Sequence, residues 1–530
     1  MKARDLAEDL PDLLTRRRLS LPADAGHHLC DEEFIGYLMV GEHMAACAQC
    51  SEEMSRLADA DDLWFTPQVE ERRQELLKRL KEKERAAPAE PQERPQPEAV
   101  RAPQPSAALD AGGSPWSRAN PREFLAAIDI GSSKVGVLIA QPGAHRVLEV
   151  IGRGLAPNRG TRKGNIVNVE ATVEALRMAR DEAEVMAGVE ISRAYVGVAG
   201  ADIRSVNSRA MVSVSHKDRE ITRQDIQRVI EAAQSVQPSD REILHAVRQE
   251  FIVDEQTGID DPLGMLATRL EATVHLVTGN VTRSRTLQTC VNRAGIEIAE
   301  MVFEPLATAC AVLSPDERRQ GVLLVDIGAG TTEVALFSEG EIQYSAVAPI
   351  GAGHFTNDLA MVLRTPYAEA ERIKIKQGCC VPSMATKEEG ISVPPVAGGG
   401  SRVVPRRELS EILQPRAEEL LTMLRDDLRK HAPDDALRGG VVLTGGGAQL
   451  DGLLELAEQV FDTTARYGLP RGLGGLDDVI AGPTWSVASG LLLYAQGAEE
   501  SKRKVMVQKR SGFSMRGVLG SLRGMFSDLP

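Results

Sequence analysis

The sequence has no long apolar run and few cysteines, and both absences limit where the protein can work. No stretch is long and apolar enough for a membrane-spanning helix, and the opening residues MKARDLAEDLPDLLTRRRLS have no secretory signal pattern. The 530 residues include only seven cysteines, which is typical of a chain kept in a reducing compartment. We therefore expect a protein of the cytoplasm that folds without disulfide bonds.

An excess of positive charge is also missing. The chain has 62 Lys and Arg against 76 Asp and Glu, a formal net charge of −14, which argues against sequence-independent binding of nucleic acid over its surface. We expect no nucleic-acid partner. The length exceeds that of one ordinary core, so several subdomains and one or more linkers are expected.

A segment without hydrophobic periodicity separates a small head from a large body. Residues 84–121 are rich in Pro, Ala, Glu and Gln, a composition that predicts an extended, disordered linker. The residues before it, TPQVEERRQELLKRLKEKER, predict a solvated helix with Thr66 as its cap and Pro67 at its first position. We expect a head at 1–65, this helix and linker at 66–121, and the body beyond.

The body contains one pattern twice. EFLAAIDIGSSKVGVLIAQ and, further along the chain, GVLLVDIGAGTTEVALFSEG each predict two strands joined by a tight Asp-x-Gly turn. Segments with helical periodicity, such as NVEATVEALRMARDEAE, alternate with the strands, as in a layered α/β fold. We therefore expect a duplicated α/β core with one lobe at 122–320 and the other at 321–497, and a loop at 394–404.

Each Asp-x-Gly turn carries residues suited to bind phosphate. Glycine lets backbone N–H groups approach an anion closely, and a lysine adds positive charge. Two aspartates facing one cleft suit a hydrated Mg²⁺ that bridges phosphates. A single such turn is equally well explained as a plain hairpin, but two copies favour a phosphate clamp. The first turn contributes Asp129, Gly131, Ser132, Ser133 and Lys134, and the second Asp326, Gly328, Gly330, Thr331 and Thr332.

A third element, VVLTGGGAQLDG, is an apolar strand that runs into three glycines. The missing side chains of Gly445, Gly446 and Gly447 leave room for a flat adenine ring, and Gln449 follows them. In this order and spacing, the three elements resemble the two phosphate loops and the adenosine loop of the superfamily that joins actin, DnaK-type chaperones and sugar kinases. The resemblance implies ATP and Mg²⁺ as cofactors.

The same resemblance assigns charged side chains outside the loops. Glu371 and Lys374 of EAERIKIKQG match a helix that contacts the ribose and base, although an ordinary charged helix face also explains them. Glu304 of VFEPLA matches the position of a water-orienting carboxylate in related ATPases, and a helix-start acid explains it equally well. Glu304 and Asp129 are thus the catalytic candidates. Whether ATP is hydrolysed stays open.

The residues between the motifs resemble FtsA, a family of actin-like bacterial cell division proteins. The similarity runs from about 124 to 495 and includes GTRKGNIVNVEATVEALRMARDEAE, DPLGMLATRLEATVHLVTG and LRTPYAEAERIKIKQG. Residues 203–286 look like the extra subdomain that separates FtsA from sugar kinases and chaperones. Glu333 stands where the family more usually has Asp, so we carry no metal or phosphate role over to it. Residues 1–120 have no counterpart in ordinary FtsA.

This resemblance implies an ATP-binding, polymerising scaffold of cell division. Its partners would be FtsZ filaments, further copies of itself, other divisome proteins and an anionic membrane surface. Its place would be the cytoplasmic side of the inner membrane, at the division site. Two other classes share the fold and stay open: a PilM-like adaptor of pilus assembly, and an actin-fold ATPase or kinase that is stimulated by a small sugar or a peptide.

The head has the spacing of a zinc site. His43, Cys47 and Cys50 form an H-x3-C-x2-C pattern, which brings an imidazole and two thiolates to one metal ion. Cys30, or His28 as the second choice, would complete a tetrahedral set of Zn²⁺ ligands. The pattern resembles the zinc-binding anti-sigma fold. A small helical hairpin with free thiols is the alternative.

Residues 498–530 predict a basic linker and an amphipathic membrane-binding helix. Apolar side chains recur there at steps of three and four, which gathers them on one stripe of a helix. An upstream cluster of lysines and arginines suits an anionic leaflet. A terminal helix docked on the body is the alternative. The stripe contains Met515, Val518, Leu519, Leu522, Met525, Phe526 and Leu529.

Overall fold

The computed structural model describes residues 124–510 apart from 144–146, 216–217, 236–239, 386–389, 397–399 and 434, and leaves out the side chains at 477–478 and 501–510. The predicted zinc ligands of the head, the charged helix and linker, and the apolar stripe of the tail lie outside the described residues. Within the described part, none of the helices has the length and apolar content that crossing a membrane requires.

The described chain alternates strands and helices. Its strands are β1 Leu125–Ile130, β2 Lys134–Pro142, β3 Leu148–Pro157, β4 Thr161–Arg162, β5 Asn165–Ile166, β6 Arg193–Val198, β7 Arg204–Ser213, β8 Arg241–Val253, β9 Gln256–Ile259, β10 Arg269–Asn280, β11 Glu297–Phe303, β12 Val322–Ile327, β13 Thr332–Ser338, β14 Glu341–Ala348, β15 Gly390–Val393, β16 Arg402–Pro405, β17 Val441–Thr444, β18 Ala465–Tyr467 and β19 Leu473–Gly475. Its helices are α1 Val169–Ala187, α2 Arg223–Gln234, α3 Val281–Arg293, α4 Glu304–Val312, α5 Pro315–Gln320, α6 Ala352–Val362, α7 Tyr367–Gln377, α8 Arg406–Leu428, α9 Leu453–Phe461, α10 Asp477–Ile480 and α11 Ser486–Arg510, with 3₁₀ turns at Gly446–Gln449 and Pro483–Trp485.

Two sheets repeat one arrangement of strands. In the first, with the order β11-β6-β1-β2-β3-β19, β1 pairs antiparallel with β2 and parallel with β6. In the second, with the order β14-β13-β12-β17-β18, β12 pairs antiparallel with β13 and parallel with β17. The prediction of a duplicated α/β core is therefore confirmed.

The sequence explains the central strands locally. The side chains of β1 alternate between two apolar cores: Ile128 packs in one with Leu176 of α1, and Ala127 packs in the other with Leu491 of α11. A strand covered by helices on both faces needs apolar residues throughout, which is why β1 and β12 are continuous apolar runs up to their aspartates. Asn168 caps α1 by accepting a hydrogen bond from the N–H of Ala171 at 3.1 Å.

The chain returns to the first sheet before its end. β19 pairs with β3, and Leu491 and Leu492 of α11 pack in a core of the first lobe. The structure thus places the chain from Leu473 with the first lobe, whereas the predicted second lobe extended to 497, and α11 continues through that boundary to Arg510. Part of the predicted loop at 394–404 belongs to β16, which pairs with β15.

Residues between β6 and α3 form a separate small sheet. Its order is β7-β10-β8-β9, and Ile226 and Val229 of α2 share an apolar core with Leu270 and Val274 of β10. This sheet lies within the predicted extra subdomain at 203–286. It is an insertion into the first lobe, because the chain leaves the first sheet after β6, returns to the core of that lobe with Cys290 and Val291 of α3, and rejoins the sheet at β11.

The inserted sheet also contacts the second lobe, at its edge strand β14. Edge strands carry backbone groups that no further strand pairs with, and here three side chains of the inserted sheet donate to carbonyls of β14. These hydrogen bonds run from Ser205 to Ser345 O at 2.5 Å, from Asn207 to Gln343 O at 2.9 Å and from Gln249 to Ile342 O at 2.8 Å. The insertion therefore braces one lobe against the other.

His275 of β10 belongs to this brace. Its side chain is buried, with Nδ1 at 2.6 Å from Asn207 Oδ1 and Nε2 at 2.9 Å from Ser345 Oγ. The neutral ring fits both contacts, because Nδ1–H donates to the amide oxygen while Nε2 accepts from the hydroxyl. Burial lowers the pKa of His275 from 6.5 to about 4.

Replacing His275 should therefore flatten the pH dependence of stability. Its pKa is lower in the folded chain than in the unfolded one, so the unfolded chain binds the proton first. The free energy of unfolding is therefore highest above the pKa that His275 has in the unfolded chain, and it decreases as the pH falls toward 4. Between pH 7 and pH 5 we expect the unfolding free energy of the wild type to fall by about 2 kcal/mol more than that of His275→Gln. Denaturant unfolding at both pH values measures this difference, and equal losses would contradict it.

Candidate functional site

Residues of both lobes line one cavity of about 500 Å³. All but one of the residues predicted for the nucleotide cleft lie in its wall. These are Asp129, Gly131, Ser132, Ser133, Lys134, Glu304, Asp326, Gly328, Gly330, Thr331, Glu371, Lys374, Gly445, Gly446, Gly447 and Gln449. The exception is Thr332, which is fully buried and donates its hydroxyl hydrogen bond to Ile350 O at 2.8 Å.

The two Asp-x-Gly turns close with the same hydrogen bond. Gly131 N–H donates to Lys134 O at 2.9 Å, and Gly328 N–H donates to Thr331 O at 3.0 Å. In each case the turn joins two antiparallel strands, and the aspartate is the last residue but one of the first strand. Duplication of the fold thereby brings equivalent aspartates from both lobes to one cavity.

Glycines let the backbone of these loops border the cavity directly. A Cβ on Gly330 would lie 2.5 Å from Ser132 Oγ and 2.9 Å from the Cα of Lys163, so the lobes approach too closely here for any side chain. Gly445 has a φ of +84°, and a Cβ on it would collide with Asp326. Bare backbone at such a point is what allows N–H groups to reach an anion.

Four buried carboxyl groups and one lysine lie around the two turns. Burial raises the pKa of Asp129 and that of Glu304. Burial, and then the charge of Asp129, raise the pKa of Asp326 to about 7. Burial, and then the charge of Asp326, raise the pKa of Glu333 to about 8. Burial also lowers the pKa of Lys134, although the carboxylates oppose this shift. The raised pKa values favour the neutral form of these carboxyl groups unless a cation offsets their charge, and as carboxylates without a cation they would repel a phosphate group.

The donor set fits a hydrated divalent cation. In the part of the chain that the structure describes, no three His, Cys, Asp or Glu side chains are close enough to hold a metal ion. Mg²⁺ takes one or two carboxylates and completes its shell with waters and phosphate oxygens. Asp129 and Asp326 can supply the carboxylates. In addition, the buried Oε1 of Glu333 has no hydrogen-bond partner within the described part of the chain.

Lys134 is fixed by the segment that precedes α11. Its Nζ donates to Thr484 O at 2.5 Å and lies 5.5 Å from the ring centroid of Trp485. On the same segment, Thr484 Oγ1 accepts a hydrogen bond from Gln449 at 3.2 Å. Thr484 thus connects the first turn to the glycine loop, although no motif in the sequence marks this residue.

Lys374 and Glu371 of α7 line the cavity beside α6. The Lys374 ammonium donates to Ala352 O at 3.0 Å, to Thr356 Oγ1 at 2.7 Å and to Glu371 Oε2 at 2.8 Å. Burial lowers the pKa of Lys374, and the Glu371 carboxylate opposes that shift. These hydrogen bonds occupy the three donors of the ammonium group, which has no acceptor, so of the two side chains only Glu371 can accept a hydroxyl hydrogen bond from a ligand.

The position of Glu304 is compatible with both of its interpretations. It is the first residue of α4, next to Pro305, and therefore a helix-start acid. It is also buried and lies in the cavity wall, close enough to β6 that a Cβ on Gly197 would be 3.0 Å from its Oε1. A carboxyl group at this position can reach a water in the cavity.

Glu333 also lies in the cavity wall, although its place in the motif alone predicts no role for it. It pairs with Asp326 across the antiparallel strands β12 and β13, so both side chains are on the same face of the sheet. Its side chain is 2% exposed and borders the cavity. The hairpin predicted from the sequence could have identified Glu333. Its turn lies between Asp326 and Glu333, and the register of the two strands places these residues opposite each other.

Comparisons with known proteins agree with this architecture. The family of the cell division protein FtsA matches residues 323–490, and the SHS2 domain inserted in FtsA matches residues 200–278, where β7 to β10 form the inserted sheet. The cell division protein FtsA of Pseudomonas aeruginosa is 44% identical over 373 residues, which cover 70% of this chain and 89% of that protein. The cell division protein FtsA of Escherichia coli K12 is 35% identical over 387 residues, which cover 72% of this chain and 92% of that protein.

Among solved structures, the PilM–PilN type IV pilus biogenesis complex is similar with a TM-score of 0.50 and 16% identity, covering 70% of this chain and 97% of that one. At this identity the similarity concerns the fold alone. The actin-like α/β fold predicted from the sequence is confirmed by the duplicated sheets together with these matches. The two FtsA relatives settle the family, since each is well over 30% identical and matched over nearly its whole length. This chain is a member of the FtsA family of cell division proteins.

Proposed function

We propose that the cavity between the lobes binds ATP together with Mg²⁺. The observation that carries this proposal is the pair of equivalent turns that present Asp129 and Asp326 to one cavity. Backbone N–H groups of the turns and the ammonium of Lys134 are the donors for the phosphates. The cation offsets the repulsion between the phosphates and the buried carboxylates. A volume of about 500 Å³ is within the range of small-molecule sites.

The glycine loop is the proposed adenine side of this site. Gly446 borders the cavity, and among the described residues a Cβ there would meet only Thr484 Oγ1, at 3.8 Å, so the space above it is open to a ligand. A flat ring fits over bare backbone of this kind. Glu371 would accept hydrogen bonds from ribose hydroxyls, while Lys374 keeps α7 in place beside α6. If ATP is hydrolysed, Glu304 and Asp129 are the residues that would orient the attacking water.

For the whole chain we propose the role of an ATP-dependent scaffold that tethers FtsZ filaments to the cytoplasmic membrane at the division site. Membership of the FtsA family supports this proposal. Self-association into actin-like filaments and contacts with other divisome proteins belong to the same proposal. The pilus-adaptor alternative is less well supported, because the likeness to PilM–PilN is one of fold at 16% identity.

The membrane contact is assigned to the tail, and one substitution tests it. Phe526 belongs to the proposed apolar stripe, and burying such a side chain contributes roughly 1.5–3 kcal/mol, so a charge there should weaken binding strongly. We expect the full chain to co-sediment with anionic vesicles, and Phe526→Glu and a truncation at Ser501 to stay in solution. Neutral vesicles are the control, since basic residues near the stripe require anionic lipid. Equal sedimentation of all three proteins would show that the tail is not the anchor.

We also propose that the head binds one zinc ion, as an interaction module added to the FtsA body. The support is the ligand spacing of His43, Cys47 and Cys50, with Cys30 or His28 as the fourth ligand. A module this short gains much of its folding free energy from the metal. The zinc content of the purified full chain tests this assignment.

A further inference from the structure

We propose that Glu333 takes part in holding the divalent cation that accompanies the nucleotide, by accepting a hydrogen bond from a water bound to that ion. The inference rests on the proposed Mg²⁺–ATP site and adds a residue to it. Glu333 replaces the aspartate more usual in the family, and the motif alone assigns it no role.

The first observation is an unpartnered oxygen. Glu333 is 2% exposed and borders the cavity, yet its Oε1 has no hydrogen-bond partner among the described residues. A buried acceptor without a partner is costly, and native proteins rarely keep one unless a water, ion or ligand completes it. Something in the cavity is therefore expected to donate to this oxygen.

The second observation is the position of the side chain relative to the aspartates. Asp326 and Glu333 are direct partners across β12 and β13, and the side chains of such pairs begin about 4.5–5.5 Å apart. The charges of Asp326 and Asp129 both act on Glu333. Like-charged carboxylates beside one cavity favour a cation there, and the part of the cavity that these three acids line also contains the two Asp-x-Gly turns.

The third observation selects a water-mediated contact over direct coordination. No three acidic, histidine or cysteine side chains of the described chain are close enough to hold an ion by themselves. An ion at this point must therefore complete its shell with phosphate oxygens and waters, as Mg²⁺ commonly does. Glu333 is then an outer partner that orients one of those waters through its Oε1.

The test compares ATP affinity with and without metal in the full chain. The metal-enhancement factor is the Kd for ATP in excess EDTA divided by the Kd in excess Mg²⁺, both measured by calorimetry. Glu333→Gln keeps the shape but loses the negative acceptor, so we expect this factor to fall by about tenfold, as for a lost charge-assisted hydrogen bond. In EDTA the variant should bind ATP at least as tightly as the wild type, because one repulsive charge is gone.

Matched variants separate this role from a structural one. Glu333→Asp retains the charge on a shorter side chain and should recover part of the factor, even if Glu333→Gln proves poorly folded. Glu174→Gln, an exposed carboxylate of α1 outside the cavity, should leave the factor unchanged. Equal factors in wild type and Glu333→Gln, with both binding ATP, would overturn this inference and leave the proposed function standing. A wild-type chain that binds no ATP in either buffer would overturn both.

Discussion

Asp326→Ala is expected to lower the affinity for ATP in excess Mg²⁺ by about a hundredfold or more. The carboxylate is 4% exposed at the end of β12, where it faces the cavity with Asp129. Removing one partner of a buried, charged contact typically costs about 2–5 kcal/mol, and each 1.4 kcal/mol is a factor of about ten. In excess EDTA the same variant should not bind ATP more weakly than the wild type, because it lacks a negative charge near the phosphates.

The matched control is Asp426→Ala. Asp426 is an exposed acid of α8 in the same lobe, paired with Arg425 at 2.7 Å, and exposed pairs of this kind contribute little. Calorimetry of the three proteins in both buffers gives the comparison. If Asp326→Ala binds ATP as tightly as the wild type in Mg²⁺, the two aspartates do not form the metal side of a nucleotide site.

Gly446→Val is expected to reduce ATP affinity by about tenfold to a hundredfold while leaving the fold stable. A side chain here meets only Thr484, at 3.8 Å, and extends into the cavity. It therefore occupies the space proposed for adenine, and overpacking of this kind costs about 1–3 kcal/mol. Gly445 is unsuitable for the same test, because its φ of +84° and the nearby Asp326 would make any side chain there destabilise the loop.

Two measurements decide between blocked binding and misfolding. The melting temperature of Gly446→Val without nucleotide should stay close to that of the wild type, and the ATP titration should show the loss. Gly400→Val is the control, since none of the residues that the structure describes lies within 4 Å of a Cβ there and Gly400 does not line the cavity. Unchanged ATP affinity in a folded Gly446→Val would exclude the glycine loop as the adenine side.

The sequence predicted the two turns well because their structure is local. Each turn is closed by a hydrogen bond between residues three apart, from Gly131 N–H to Lys134 O and from Gly328 N–H to Thr331 O. The residues of the motif and their order are therefore enough to predict the turn. It was harder to predict which side chains of β13 face the cavity and which face away from it. Asp326 pairs with Glu333 and Ile327 pairs with Thr332, so the strand puts Glu333 on the cavity side and Thr332 on the other.

Features that depend on distant pairings were not predictable in the same way. β19 has three residues and pairs with β3, far away in sequence, so no periodic signal marks the return of the chain to the first lobe. The brace at β14 joins His275 to Ser345 through side chains of the insertion. In the sequence alone, His275 and Ser345 look like ordinary polar residues of two separate strands. Their contact becomes evident only when the inserted sheet is placed against the second lobe.

Recruitment of FtsZ to a membrane tests the central claim most directly. FtsZ from the same organism is polymerised with anionic vesicles and the purified full chain, with Mg²⁺–ATP present, and the vesicles are sedimented. We predict that FtsZ sediments with the vesicles only when the chain is added. It should sediment far less with Phe526→Glu, whose membrane contact is weakened, or with Asp326→Ala, at an ATP concentration that fills the wild-type site but not that of the variant. FtsZ that stays in solution while the wild-type chain itself binds the vesicles would contradict the account.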